Sequence, residues 1–277
     1  MKAAAAELIR TFDEIMETKP QHEDKPTDVL TLTFLGTRGE IEVRSRQHRR
    51  HSALLIEYKK ARIMIDCGVD WLRQLRTVEP TAIVLTHAHP DHAGGLARGA
   101  PCPVYATPET HVLLARSPIS DRRVISPEKP FAIGGVTFRA CRVEHSIRAP
   151  AVGYRVSVTS SSFFYLPDVA RLPHPSKALR GIGLYIGDGA TLRRSMLRSR
   201  GRALIGHATI MAQLAWCAKA HVRRAIFTHC GSPIVRGDAR MVSATIQKLG
   251  CENELDAHLA CDGDRLHLIA NVKRKRV

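Results

Sequence analysis

Aromatic side chains are scarce in this 277-residue chain: 7 Phe, 5 Tyr and 2 Trp make up 5% of it. Hydrophobic residues still reach 44%, so a domain-sized core can form, built mainly from aliphatic side chains. Long apolar runs are missing. No stretch reaches the roughly eighteen residues that a membrane-spanning helix needs, so a membrane partner is not expected. The 7 cysteines are scattered, odd in number and without a CxxC pair, the pattern of reduced thiols rather than of a disulfide framework. The opening MKAAAAELIRTFDEIMETK carries acidic residues through an amphipathic pattern and makes a poor secretory signal. A cytoplasmic location is expected. Acidic residues are the last shortage: 26 Asp+Glu against 42 Lys+Arg leave a net charge of +16. Such a field attracts polyanions, whether nucleic acid, nucleotides or other phosphate esters, and arginine binds phosphate in a bidentate fork.

Periodicity predicts a helix over residues 2–18 with Leu8, Ile9, Phe12, Ile15 and Met16 on one face. It is a packing appendage or an arm for a homodimer. A polar, proline-containing linker follows to residue 28, a main domain is expected over residues 29–270, and residues 271–277 form a basic tail with KRKR inside it. Strands are expected at residues 29–35, 53–58 and 62–65, a short helix at 71–76, and a buried strand at 82–86. Edge strands are expected at 104–106 and 131–133 around a helix at 108–116, then strands at 136–143, 152–158, 162–166, 182–186, 203–205 and, last, 225–228. A helix over residues 209–220 carries Ile210, Leu214 and Cys217 on one stripe. Two halves of strands followed by helices predict an α/β fold, an αββα sandwich of two mixed sheets with helices on both outer faces.

The most informative stretch is TAIVLTHAHPDHAGG, residues 81–95. A short β-branched run feeds four metal-capable side chains, His87, His89, Asp91 and His92, within six positions. His87 and His89, two apart in an extended segment, project to one side and can share one ion. Asp91 and His92 follow a turn at Pro90 and can serve a second. Imidazole suits zinc, copper, iron or nickel, and the carboxylate adds a hard oxygen donor. Other strands also end in His or Asp: His145, Asp168, Asp188, His207 and His229. Strand ends of this kind converge on one rim in open α/β sheets. Asp66 closes its strand either as a turn cap or as a carboxylate supporting a metal ligand. The run of residues 38–52, with Arg44, Arg46, His48, Arg49 and His51, becomes an anion clamp for substrate if it folds over the site.

His87-Ala88-His89-Pro90-Asp91-His92 resembles the HxHxDH signature of the metallo-β-lactamase superfamily. FLGT at 34–37, IDCG at 65–68 and the segment from Gly206-His207-Ala208-Thr209 to His229 are similar to its phosphodiesterase branch, the ribonuclease Z and cyclic phosphodiesterase relatives. The resemblance implies that His87, His89 and His145 hold one divalent ion and that Asp91, His92 and His229 hold the other. Asp168 then bridges the two with a hydroxide. Zinc is the first choice, with manganese or iron tolerated. His229, like His87, follows a β-branched strand and is taken as the ligand. His207, ahead of its helix, is taken to assist the leaving group, with Asp188 as its partner carboxylate and Asp91 as a candidate general base. The interval from His145 to Asp168 is too short for the tRNA-gripping arm of ribonuclease Z. A smaller phosphodiester, such as a nucleotide or cyclic phosphate, therefore fits better than tRNA. The competing readings are a thioesterase or lactonase on the same fold, and a nucleic-acid-binding protein whose metal is structural.

Overall fold

The computed structural model describes residues 29–159, 161–201 and 203–269. The expected N-terminal helix, its linker and the basic tail lie outside the described residues. The strands form two seven-stranded sheets and one hairpin. The first sheet contains β1 (Val29–Gly36), β2 (Ala53–Tyr58), β3 (Ala61–Ile65), β4 (Ala82–Val84), β5 (Val104–Ala106) and β6 (Arg122–Val124), with β16 (Arg265–Ile269) added beside β1. The second contains β7 (Pro130–Ile133), β8 (Val136–Val143), β9 (Ala151–Val158), β10 (Ser161–Tyr165), β11 (Leu184–Asp188), β14 (Arg224–Thr228) and β15 (Asp256–Leu259). Its spatial order is β15-β14-β11-β10-β9-β8-β7. Both sheets are mixed: β3 to β6 pair in parallel, as do β10, β11, β14 and β15, while the rest are antiparallel. The hairpin joins β12 (Arg198–Arg200) to β13 (Ala203–Ile205).

Three buried clusters define the layers. Between the sheets, Leu32, Ile56, Ile63 and Val84 meet Phe138, Tyr154, Val156, Phe163 and Ile186. Outside the second sheet, Phe164, Tyr185 and Phe227 are covered by Leu214 of the helix Ile210–Lys219 and by Ile246 and Leu249 of the helix Ala239–Cys251. Outside the first sheet, Leu55, Met64 and Ile83 pack against Trp71, Leu75 and Leu96. Strands that are apolar on both faces, such as β3 and β4, are those buried between layers on each side. The result is the expected αββα sandwich. Among the described residues no helix is long and apolar enough to cross a membrane.

Several local expectations are corrected. β5 is not an edge strand but lies between β4 and β6; the edge strand β6, Arg-Arg-Val, has no apolar alternation to announce it. β14 is not the last strand, because the helix Ala239–Cys251, β15 and β16 follow and complete both sheets. The strand expected at 182–186 runs over 184–188, so that Gly187 and Asp188 belong to it. The helix expected at 108–116 stops at Leu113, and the one at 71–76 is split into a 3-10 turn, Val69–Trp71, and a helix, Leu75–Val78.

The basic run after β1 is tied down by two carboxylates. Asp70 Oδ2 accepts from the buried Arg38 Nη2 at 2.6 Å and from the His51 backbone N–H at 2.9 Å, and its Oδ1 accepts from Arg44 at 2.9 Å. Asp262 accepts from the backbone N–H groups of Arg49 and Arg50, at 2.9 and 3.0 Å, and from Thr37 Oγ1 at 2.7 Å. His48 is buried with Nδ1 2.8 Å from Thr37 Oγ1. Burial and the neighbouring Arg38 push the His51 imidazole down to about 4, although Asp70 opposes the shift. At neutral pH, then, the ion pair is Arg38–Asp70 and His51 is its neutral neighbour.

The His51 shift has a pH signature. Above the ordinary imidazole value of 6.5 the ring is neutral in both folded and unfolded chains. Between there and about 4 only the unfolded chain takes up the proton, so stability falls with pH, by up to about 3 kcal/mol, and the loss levels off below. Urea unfolding across that window is expected to show a shallower decline for His51→Gln than for the wild type. Parallel curves would rule the assignment out.

Candidate metal centre

The site is assembled where strands of both sheets end. β4 continues through Leu85 and Thr86 into His87 and His89, and the helix Pro90–Ala93 carries Asp91 and His92 directly after its opening proline. His145 follows β8, Asp168 follows β10, Asp188 closes β11 and His229 follows β14. Two hydrogen bonds lock the sheets together beside it: Tyr154 Oη donates to Leu85 O at 2.7 Å, and the Val152 N–H donates to Thr86 O at 3.1 Å. Close packing leaves no room for a side chain at Gly68, where a Cβ would lie 2.0 Å from the Asp91 carbonyl oxygen. Asp66 and His229 both hold φ near +60°, at 60° and 54°, a conformation non-glycine residues adopt at a cost and which concentrates at functional sites.

The structure brings together all seven of the expected ligands. One group comprises His87, His89, His145 and Asp168, and a second Asp91, His92, Asp168 and His229; within each, the donor atoms lie within 4.8 Å of one another. In the first, His89 Nδ1 lies 2.9 Å from His87 Nε2 and 3.3 Å from His145 Nε2, and Asp168 Oδ2 lies 3.4 Å from His87 Nε2. In the second, Asp168 Oδ2 lies 2.8 Å from His92 Nε2, while Asp91 Oδ2 lies 3.0 Å from His229 Nε2. Asp168 thus belongs to both.

The opposite ring nitrogens are tethered. His92 Nδ1 lies 2.8 Å from Asp66 Oδ2, which also accepts from Thr86 Oγ1 at 2.8 Å. His87 Nδ1 lies 3.0 Å from Thr86 Oγ1 and His145 Nδ1 3.1 Å from Gly206 O. Such contacts fix the tautomer and orientation of a ligating imidazole. Of the two readings for Asp66, the geometry favours support of His92. Thr86 has no counterpart in the sequence reading, since a threonine at a strand end gives no signal of its own.

The interior groups are electrically opposed. Burial pushes His87 down, and its neighbours His92 and His145 push it further. Burial also works against His92, but Asp91, Asp66 and Asp168 together hold it well above the imidazole range. Asp168 is held well below the carboxylate range, against burial, by His145, His229 and His92. Asp91 is likewise held low, against burial, by His92 and His229. A carboxylate so strongly ionised suits a cation ligand better than a proton acceptor at neutral pH. Among the described residues, the buried Asp91 Oδ1, His92 Nε2, Asp168 Oδ1 and His229 Nδ1 make no hydrogen bond. They face one another at ion-pair distance instead, His92 Nε2 and His229 Nδ1 lying 2.8 and 3.1 Å from Asp168 oxygens. Such a convergence of nitrogen and carboxylate oxygen fits divalent cations.

His207 stands beside this centre, Nδ1 2.8 Å from Asp188 Oδ2 and 3.3 Å from Asp168 Oδ1. Asp188 is in turn fixed by the Val169 and Ala190 N–H groups at 3.0 and 2.8 Å, and Gln213 brackets its backbone, accepting from its N–H at 2.9 Å and donating to its carbonyl at 2.8 Å. Burial opposes protonation of His207, yet Asp188 and Asp168 raise it well above the ordinary range.

A cleft of about 650 Å³ opens over His89, Asp91, His145, Asp168, His207 and His229. Its cations are not the expected ones. Gly39, Glu40 and Ile41 from the start of the basic run reach it, whereas Arg44, Arg46, His48, Arg49 and His51 do not. Arg44, His48 and His51 are engaged by Asp70 and Thr37, and Arg49 is anchored through its backbone by Asp262. The lining arginines are Arg194 and Arg198, from the segment that leads into and forms the β12–β13 hairpin. The sequence did carry a signal for them: residues 189–237 contain no Asp or Glu, so arginines there have no local carboxylate to pair with.

Comparison with known proteins agrees with this architecture. A family model for the beta-lactamase superfamily domain matches residues 61–230. A ribonuclease Z from Methanopyrus kandleri is 28% identical over 165 residues, 53% of this chain and 57% of that protein; the chain spans little more than half the length of that relative. Among solved structures, the metallo-beta-lactamase fold protein YhfI from Bacillus subtilis superposes with a TM-score of 0.67 at 14% identity, over 87% of this chain and 100% of that one. A diphosphatase from the PhnP family gives a TM-score of 0.62 at 20% identity, over 87% and 97%. With more than half of its length matched and the histidine-rich rim in place between the two sheets, the chain belongs to the β-lactamase superfamily.

Proposed function

We propose that this protein is a metal-dependent phosphodiesterase that hydrolyses a nucleotide, a cyclic phosphate or a nucleic-acid phosphodiester. The observation that carries the proposal is Asp168: one buried carboxylate common to the two ligand groups and to a third with Asp188, His207 and His229, in a cleft also lined by the raised His207 and by Arg194 and Arg198. His87, His89, His145 and Asp168 would hold one divalent ion, and Asp91, His92, His229 and Asp168 a second, with zinc favoured by the imidazole donors. Bound there, such ions supply Lewis acidity and a water acidified to near neutrality. The chain's own residues account for the rest. Arg194 and Arg198 attract and orient the phosphate in the cleft. His207, kept protonated by Asp188 and Asp168, is placed to give a proton to the departing alkoxide. A neutral acyl substrate would need neither feature, which favours the diester over a thioester or lactone. The names of the ribonuclease Z relative and of the diphosphatase support a phosphorus-centred substrate.

The holoprotein is expected to hydrolyse bis(p-nitrophenyl) phosphate. Chelation is expected to abolish that activity, as is Asp168→Ala, with loss of bound metal followed by elemental analysis. A fully metallated protein that turns over thioesters or lactones but no phosphodiester would refute the reading. His207→Ala provides a finer check. Its kcat is expected to fall by about 10²–10⁴-fold on diesters with alkoxide leaving groups. The effect on the p-nitrophenyl diester, whose leaving group departs without a proton, is expected to be far smaller. Equal losses on both would remove His207 from the role of proton donor.

A further inference from the structure

Away from the histidines lies a larger cleft, about 790 Å³, on the outer face of the second sheet. The helices Ile210–Lys219 and Ala239–Cys251 pack on β11, β14 and β15, whereas the outward side chains Thr137 and Arg139 of β8 stay exposed. Those outward positions face their partners on β9 directly: Thr137 opposite Ser157, and Arg139 opposite Arg155. Leu172, Pro173, His174 and Lys177 form one wall and Pro127, Glu128 and Pro130 the other.

The charges on this floor are not balanced from within. Like charges directly opposite across two strands disfavour the sheet, yet Arg139 and Arg155 are so placed. Among the described residues Arg142 pairs with Glu109 at 2.9 Å, but Arg139, Arg155 and Lys177 form no ion pair. Arg155 lines the cleft while its Nη1 donates to Arg180 O at 2.8 Å. Partial burial and the facing Arg139 hold the Arg155 guanidinium below its ordinary value. The one acidic residue in the lining, Glu128, accepts a hydrogen bond from the Cys141 thiol. A concave site with two adjacent guanidinium forks and a nearby ammonium matches a tetrahedral oxyanion carrying more than one charged oxygen.

We propose that this cleft is a second anion site, separate from the histidine cluster, which binds a phosphate group between Arg139 and Arg155 with Lys177 on the wall. The phosphate belongs either to a free nucleotide or to a nucleic-acid strand. Calorimetric titration of the full-length, metal-loaded protein with adenosine 5′-monophosphate and with a phosphorothioate decanucleotide separates the two sources. The double variant Arg139→Ser, Arg155→Ser is expected to bind the ligand about tenfold more weakly or worse, as two charge-assisted hydrogen-bonding groups are lost. Its metal content is expected to be unchanged, and its melting temperature without ligand no lower than that of the wild type. Arg46→Gln, which lines neither cleft, controls for net charge. Weakening of both probes identifies a phosphate monoester as sufficient; weakening of the decanucleotide alone identifies a strand. Should the double variant not fold, Arg139→Gln makes the same comparison. Binding of both probes that is the same in wild type and variant, or lost equally in Arg46→Gln, would overturn the proposal.

Discussion

Asp168 is buried with His87, His92, His145, His207 and His229 all within ion-pair distance. A carboxylate taken out of water without compensation is costly enough to unseat a fold, and so is a group of imidazoles that lack partners. Neither could be buried alone; together they hold one another in opposed states of charge. The rest of the structure is arranged to keep them in reach. Asp66, Thr86, Asp188 and the Gly206 carbonyl grip the far sides of the rings, and Gln213 grips Asp188. Asp66, Thr86, Asp188 and Gly206 come from four different strand ends and Gln213 from the helix Ile210–Lys219, so the cluster exists only while both sheets keep their mutual position.

That position is held by an aliphatic interlayer with its few aromatics placed centrally. Phe138, Tyr154, Phe163 and Tyr165 are all fully or almost fully buried, and Tyr154 spends its hydroxyl on the Leu85 carbonyl immediately before the His87 loop. The left-handed backbone at Asp66 and His229 and the absence of a side chain at Gly68 are local consequences of the same crowding. Strand ends that would otherwise diverge are turned inward to meet.

The excess of positive charge is divided between two uses. Arg38 and Arg44 are committed to Asp70, and the backbone of Arg49 and Arg50 to Asp262, where they shape the run between β1 and β2. Arg194 and Arg198, from a stretch without carboxylates, line the cleft over the histidines instead, and Arg139 and Arg155 face each other on the opposite side of the second sheet. Among the described residues, Arg139, Arg155, Arg194 and Arg198 line the clefts without an ion pair, whereas Arg38 and Arg44 are paired with Asp70.

The sequence by itself determined the layer architecture and the metal-capable cluster. Alternation and β-branched runs report burial directly, and HAHPDH packs four donors into a span shorter than any fold could separate. His145, Asp168, Asp188, His207 and His229 were visible only as strand-end residues, and it was the resemblance to the superfamily that singled them out as site residues. What only the tertiary structure decided was which charges neutralise one another. Asp70 is distant in sequence from Arg38, and Asp262 farther still from Thr37 and Arg49, so no local pattern could show that the basic run was already spoken for. The β6 edge, the helix Ala239–Cys251 and the last two strands also waited on the structure, because short or half-exposed segments take their conformation from the neighbour they pair with rather than from their own residues.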